Sequence, residues 1–287
     1  MSQLTERIER ADRSAGVSRV VRLAPGRERW LPPVLVLLGA ALLWEAVARA
    51  MDSPFFPPLS AITLQISQEW LSGPASRLWM TESFTSMMGA SMRRFVPAFV
   101  LGCTAGAGIG VAIGLSRKIR ELTYPLVHFL RSIPSVALLP LFIVLLGFGD
   151  LMKTWLIGVA VVWPVLINVV DGVRSVDPVM RDTLHSYGAN SRQRLRWLII
   201  PAATPHLFAG LRIATMVGLA VMTVAEMYAS GDGVGHHVLY SQRRFDTLSM
   251  WAGVFALAAL GVLANVALSF AERRLLAWHK GARAMHV

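Results

Sequence analysis

Cysteine, lysine and acid are all scarce in this chain. Cys103 is the single cysteine and stands among glycines in an apolar run, so neither a disulfide framework nor a cysteine metal site can be built; its expected role is small-residue packing. Lysine occurs only as Lys118, Lys153 and Lys280, and no Gly-Lys-Ser or Gly-Lys-Thr is present, which excludes the usual phosphate-cradling loop. His236 and His237 have no third ligand at useful spacing, so no metal site is expected. Asp and Glu number 17 against 28 Lys and Arg, giving a net charge of +11. That balance would suit a nucleic-acid binder, but the arginines gather in the N-terminal tail and in particular connections between apolar runs, as membrane topology requires. Nucleic acid is not an expected partner.

What is present is apolar length. Hydrophobic residues make up 54% of the 287 residues, and several charge-poor runs approach a bilayer crossing. Six spans are predicted, roughly Leu31–Met51, Phe95–Leu115, Tyr124–Gly147, Leu151–Val170, Pro205–Ala229 and Leu248–Phe270. Hydrocarbon offers no hydrogen bonds, and the alternation of a membrane barrel is absent, so the fold class is all-α, polytopic. About thirty polar, Arg-rich residues precede the first run, which does not read as a cleavable signal peptide. The expected organisation is a tail over 1–30, a membrane domain over 31–275 containing a loop at 171–204, and a C-terminal tail over 276–287.

Orientation follows from the basic residues. Arg7 to Arg29 before span one, Arg117, Lys118 and Arg120 after span two, Arg174 to Arg196 after span four, and Arg273 to Arg283 at the end all fall on one side if the chain crosses six times. Both termini are therefore expected in the cytoplasm. Arg77, Arg93, Arg94, Lys153, Arg243 and Arg244 fall to the opposite side. In the first outer connection, Ser-Pro-Phe-Phe-Pro-Pro turns the chain, and Ile62, Ile66 and Trp70 at helical spacing predict an amphipathic helix over 60–71 lying on the outer membrane surface.

Span two repeats glycine every fourth residue at Gly102, Gly106, Gly110 and Gly114, a ridgeless face that lets a neighbouring helix approach closely. In span three, Pro134 and Pro140 interrupt the helix, which marks it as lining a pathway. Arg131 just before the break is expected to snorkel to the cytoplasmic interface, the alternative being a partner inside. Span five carries two ionisable residues. Arg212 is expected to clamp cytoplasmic-end carbonyls; Glu226 is either satisfied by a neighbour at the outer interface or part of a gate.

The polar stretch 177–212 has ordered helix punctuation. Asp177-Pro178 is a cap followed by proline at the first helical position, Gly188 fits the left-handed residue that ends a helix, and Asn190 with Gln193 predicts a capping box. A second stretch, Arg192 to Ile200, alternates basic residues with Leu195, Trp197 and Leu198 and could rest on anionic lipid. Pro201 and Pro205 are expected to break it before span five.

These residues resemble the permease subunits of ATP-binding-cassette importers. Their signature is Glu-Ala-Ala-x-x-x-Gly, a nine-residue spacer, then Ile-x-Leu-Pro. Gly188, Leu198, Ile200 and Pro201 fall in register, while Asp182, Thr183 and Leu184 occupy the Glu-Ala-Ala positions and keep only the acidic character of the first. Ile133-Pro134, Leu139-Pro140, Gly147-Phe148-Gly149, Arg174 to Pro178, and Ala225-Glu226 are similar to the branch that includes taurine, alkanesulfonate and nitrate permeases. The resemblance implies a chain that catalyses nothing itself and binds no cofactor. It also implies two permease copies, two cytoplasmic ATPase subunits that use ATP and magnesium, and an extracytoplasmic binding protein, all at a bacterial plasma membrane. Asp177, Pro178, Asp182, Thr183, Leu184, Gly188, Ala189, Leu198, Ile200 and Pro201 would form the ATPase-coupling segment; Arg131, Pro134, Pro140, Arg212 and Glu226 are pathway or gate candidates. An ion-coupled carrier is the alternative, disfavoured by a lone outer acid and no inverted repeat. A membrane enzyme would need a converging nucleophile and base, and none is visible.

Overall fold

The computed structural model describes residues 31–276, and the readings placed on 1–30 and 277–287 lie outside them. Every regular element among the described residues is helical. Among the described residues five helices are long and apolar enough to cross a membrane, six if the bent pair counts as one span.

Helix α1 (Leu31–Met51) turns most of its apolar side chains outward, with Val36 and Leu37 71% and 70% exposed, as lipid-facing helices do. The prolines that follow turn the chain into α2 (Leu59–Trp70). Trp44 stacks on Phe56 at 4.6 Å and meets Trp251 edge-on at 5.1 Å, which fixes this turn against the last helix. The apolar face of α2 seats on protein instead of resting on a membrane surface. Ile62 and Trp70 are fully buried, and Trp70 packs on Phe84 at 5.2 Å and His237 at 5.7 Å. The same helical period serves either environment, so the sequence pattern alone does not choose between them.

After a short 3-10 turn (Ala75–Arg77), Thr81 caps α3 (Glu82–Leu115) by accepting from the Phe84 amide. With 34 residues this helix is about 51 Å long, well beyond the hydrocarbon thickness of about 30 Å. It begins at Glu82, not near Phe95, and so carries Arg93 and Arg94 inside the rod instead of in a loop. Span three is α4 (Arg117–Arg131), a 3-10 turn (Ser135–Leu138) and α5 (Leu139–Leu146), bent by 81°. Proline pushes the residue before it out of helical conformation and cannot donate, so the break falls at Pro134; Pro140 sits in the first turn of α5, where a donor is not needed.

Helix α6 (Asp150–Arg174) leads into α7 (Pro178–Ser186) and α8 (Ser191–Arg194). A π-helical turn (Leu195–Ile199) joins α8 to α9 (Ile200–Ala229). Pro201 and Pro205 do not break this stretch, contrary to the sequence expectation. The chain runs as one rod over residues 191–229, because the π turn shifts the Ile200 amide onto Leu195 and leaves Pro201 in a first turn. Helices α10 (Val234–Arg243) and α11 (Thr247–Leu275) close the bundle.

Helices α3, α6 and α9 form its core, with Leu156, Ile157, Val161, Val165 and Met222 buried among them. The glycine stripe is what allows this. A Cβ added at Gly106 would stand 2.7 Å from the Val162 carbonyl oxygen, and one at Gly110 2.8 Å from that of Leu166. Both obstacles are α6 backbone, which cannot step aside. Gly106→Leu is therefore expected to cost about 1–3 kcal/mol, the range for overpacking, read as an earlier thermal transition of the solubilised protein. Gly108→Ala is the control: nothing lies within 4 Å of its Cβ, and its transition should not move.

Candidate translocation and coupling sites

Three sites stand along the bundle. At one end, the start of α6, the end of α9 and the loop before α10 meet α3 at Arg94. Its guanidinium is 2% exposed and reaches three carboxylates: Nε donates to Asp150 at 2.6 Å, Nη1 to Glu226 at 3.0 Å, and Nη2 to Asp232. Glu226 is fully buried and accepts also from the Ser91 hydroxyl at 2.9 Å and the Gly235 amide at 3.0 Å. Lys153, likewise buried, donates to Asp150 at 3.3 Å and Ser230 at 3.1 Å. Arg93 lies 3.7 Å from Asp150 and 4.0 Å from Asp232, so three basic side chains face three acidic ones. Burial pushes the Asp232 carboxyl up, but hydrogen bonds from Arg94 and Ser230 outweigh it and hold the group below the usual carboxylate range. What Asp232 adds to stability is thus present above that range and fades as pH falls through its lowered value.

Glu226 thereby has the fully satisfied environment that sequence reasoning offered as one of two readings. Its partner Arg94, along with Lys153, Asp150 and Asp232, was missed. An Arg-Arg pair ahead of an apolar run reads as a topology signal; the available clue was that Asp150, Glu226 and Asp232 all fall at the same end of their spans.

Mid-bundle, the break in span three opens a cleft of about 470 Å³. Arg131, Ser132 and Ser135 line it from the break, Trp163 and Asn168 from α6, and Ile213 from α9. Arg131 lines this cleft, and it has no ion-pair partner among the described residues. Pro134 marks the break itself, while neither it nor Pro140 lines the cleft. Arg212 clamps a different group from the one expected. It donates to Glu272 of α11 at 2.6 Å, tying α9 to the last helix through a carboxylate and not through helix-end carbonyls. His237 is occupied near the Ser249 carbonyl at 3.1 Å.

At the opposite end from Arg94, the predicted punctuation is present in atomic detail. The Asp177 carboxylate accepts from the Val179 amide at 2.8 Å, Pro178 opens α7, and Gly188 adopts φ 74°. Asn190 and Gln193 form a complete capping box. Asp182 and Thr183 are exposed on α7 and Leu184 and Ala189 half-buried, while Leu198, Ile200 and Pro201 follow on the rod that becomes α9. The apolar side chains of this corner lack cover: Val179, Met180 and Tyr187 are 68%, 58% and 85% exposed. Such a face, held by caps at both ends, is suited to docking on another protein.

Residues 99–277 match the family described as binding-protein-dependent transport system inner membrane component. The chain belongs to this family. It is a permease subunit, and its relatives are named accordingly. The permease is 30% identical over 236 residues to the taurine transport system permease protein TauC of Escherichia coli, spanning 82% of this chain and 85% of that one. It is 26% identical over 248 residues to the bicarbonate transport system permease protein CmpB of Synechococcus elongatus, covering 86% and 89% of the two chains. Against the formylaminopyrimidine transport permease protein ThiX of Halalkalibacterium halodurans, identity is 26% over 251 residues, with coverage of 87% and 96%. An inward-facing structure of the MetNI methionine ABC transporter matches with a TM-score of 0.58 at 18% identity, over 68% of this permease and 99% of that chain. That likeness concerns the fold alone, all-α as expected; the multi-pass permease of the plasma membrane follows from the family.

Proposed function

We propose that this permease lines the path of a small anionic solute and couples its inward movement to ATP hydrolysis on a separate subunit. The observation that carries the coupling is α7: a short rigid helix with exposed Val179, Met180 and Tyr187, joined through Gly188 and the capping box to a continuous rod over residues 191–229. A partner that grips α7 can move α9 as a rigid body, whereas a flexible loop would absorb the motion. The coupling segment is Asp177, Pro178, Asp182, Thr183, Leu184, Gly188, Ala189, Leu198, Ile200 and Pro201. Two copies side by side, an extracytoplasmic binding protein and both termini in the cytoplasm complete the reading, with α7 on the cytoplasmic side and the Arg94 cluster outside.

The anionic character rests on Arg131. A guanidinium without a carboxylate beside it, set among Ser132, Ser135 and Asn168, offers a passing anion charge and hydrogen bonds without a closed cage. The taurine and bicarbonate systems named among the relatives support this class. The test is reconstitution in liposomes with the ATPase and binding protein and labelled taurine as the solute. Uptake is expected only with ATP, and uptake on an ion gradient by the permease alone would sink the proposal. In the same assay Arg131→Gln should lower uptake about tenfold to a hundredfold, the worth of one charge-assisted hydrogen bond, while leaving thermal stability alone because no partner is stranded.

A further inference from the structure

Three guanidinium groups line one cleft of about 490 Å³ beside the α7–α8 corner: Arg181, Arg192 and Arg194. None lies within ion-pair reach of a carboxylate among the described residues. Arg194 donates to the Ser191 hydroxyl at 3.2 Å. Arg181 donates from Nη2 to the Val173 carbonyl, and its Nε is the one buried side-chain nitrogen or oxygen without a partner among the described residues. Native proteins rarely strand a buried donor, least of all a charged one. Apart from Ser191, the remaining wall is aliphatic, made by Leu115 at the end of α3 and by Leu195, Leu198 and Ile199. Beside it Trp197 is 72% exposed, with the Arg196 guanidinium 5.6 Å from its ring, the kind of amphipathic pair found at headgroup level.

A free phosphate ion would match the arginines but not the aliphatic wall. An acidic protein segment would match the arginines, but the exposed Arg196–Trp197 pair is the kind found at lipid headgroup level. A phosphate carried on acyl chains matches both halves. We infer that this cleft is a binding site for the headgroup of an anionic phospholipid, with its acyl chains lying along Leu115, Leu195 and Leu198. The lipid phosphate would neutralise three cations at the foot of α7 and tie α7, α8 and the end of α3 together. This goes beyond the transport reading and holds whichever solute is carried.

The test is native mass spectrometry of the full-length permease in detergent, supplied with equal amounts of phosphatidylglycerol and phosphatidylcholine. Each arginine near an anionic lipid favours binding about fivefold, so a preference of about tenfold or more for phosphatidylglycerol is expected. R192Q/R194Q should cut that preference to what Arg181 alone supplies, about fivefold or less, with the gel-filtration profile unchanged, since these two side chains hold no other helix. Equal retention of the two lipids by the unmodified permease overturns the assignment, whatever the variant does. So does an unchanged preference in a folded double variant. Displacement of phosphatidylglycerol by millimolar orthophosphate would also overturn it, assigning the cleft to the free ion.

Discussion

Exchange of Arg94 for methionine will destabilise the bundle by about 3–5 kcal/mol, the range seen when one member of a buried ion pair is removed. The loss should concentrate at Glu226. Asp150 and Asp232 are about half exposed and can turn to water or to Lys153, but Glu226 is fully buried and would keep only the Ser91 hydroxyl and the Gly235 amide. A buried carboxylate without a counter-charge is the costly species. Adding Glu226→Gln to Arg94→Met should therefore recover a large part of the loss, since an amide needs no cation. Glu226→Gln alone should cost less than Arg94→Met, because Arg94 retains two carboxylates. Arg94→Lys keeps the charge but not the planar fork that reaches three acids at once, and should fall between. The measurement is thermal unfolding of the solubilised permease. An unmoved transition in Arg94→Met would show that the cluster holds nothing together; absence of recovery in the double variant would move the loss to Asp150 and Asp232.

The features legible from sequence are those with a local cause. Apolar runs of bilayer length give α1, α6, α9 and α11 because the hydrocarbon demands internally bonded backbone. Asp177-Pro178, Gly188 and the Asn190–Gln193 box are cap chemistry contained within a few residues, and the glycine stripe announces a close neighbour without naming it. What was illegible depends on elements far apart in sequence. Arg94 is buried only because three helix ends converge on it, and its acids lie 56, 132 and 138 residues away. The seat of α2 depends on α11 and α10, which its own periodicity does not mention. Pro201 reads as a breaker until the π turn before it places it in a first turn. Arg131 could not be assigned to a cleft, because the cleft is made by the 81° bend after it together with α6 and α9. On the proposed reading the two kinds of feature divide the work: the outer cluster fixes one end of α3, α6 and α9, and the local punctuation around α7 drives the other.

Gly188→Val is expected to lower ATP-driven uptake by about fivefold to a hundredfold while the permease still inserts and folds. Gly188 has φ 74°, and a Cβ there would meet nothing within 4 Å, so the objection to valine is conformational and not steric crowding by a neighbour. A β-branched residue in the left-handed region is strained by about 1–3 kcal/mol, which corresponds to that range in the population of the correctly turned segment. The strain can be relieved by opening the turn, because α7 and α8 are surface elements that hold no core side chains. Opening it loses the Ala189-to-Leu184 and Gly188-to-His185 hydrogen bonds and frees α7 from the rod over 191–229. An ATPase would then still grip α7 but move it without moving α9, so hydrolysis should persist at its basal rate and lose its stimulation by loaded binding protein. Gly188→Asn separates this account from a simple intolerance of side chains. Asparagine visits the left-handed region readily, so it should keep near-normal coupling although it is as bulky as valine. Valine and asparagine behaving alike, whether both active or both inactive, would mean that the backbone conformation at Gly188 is not what links α7 to transport.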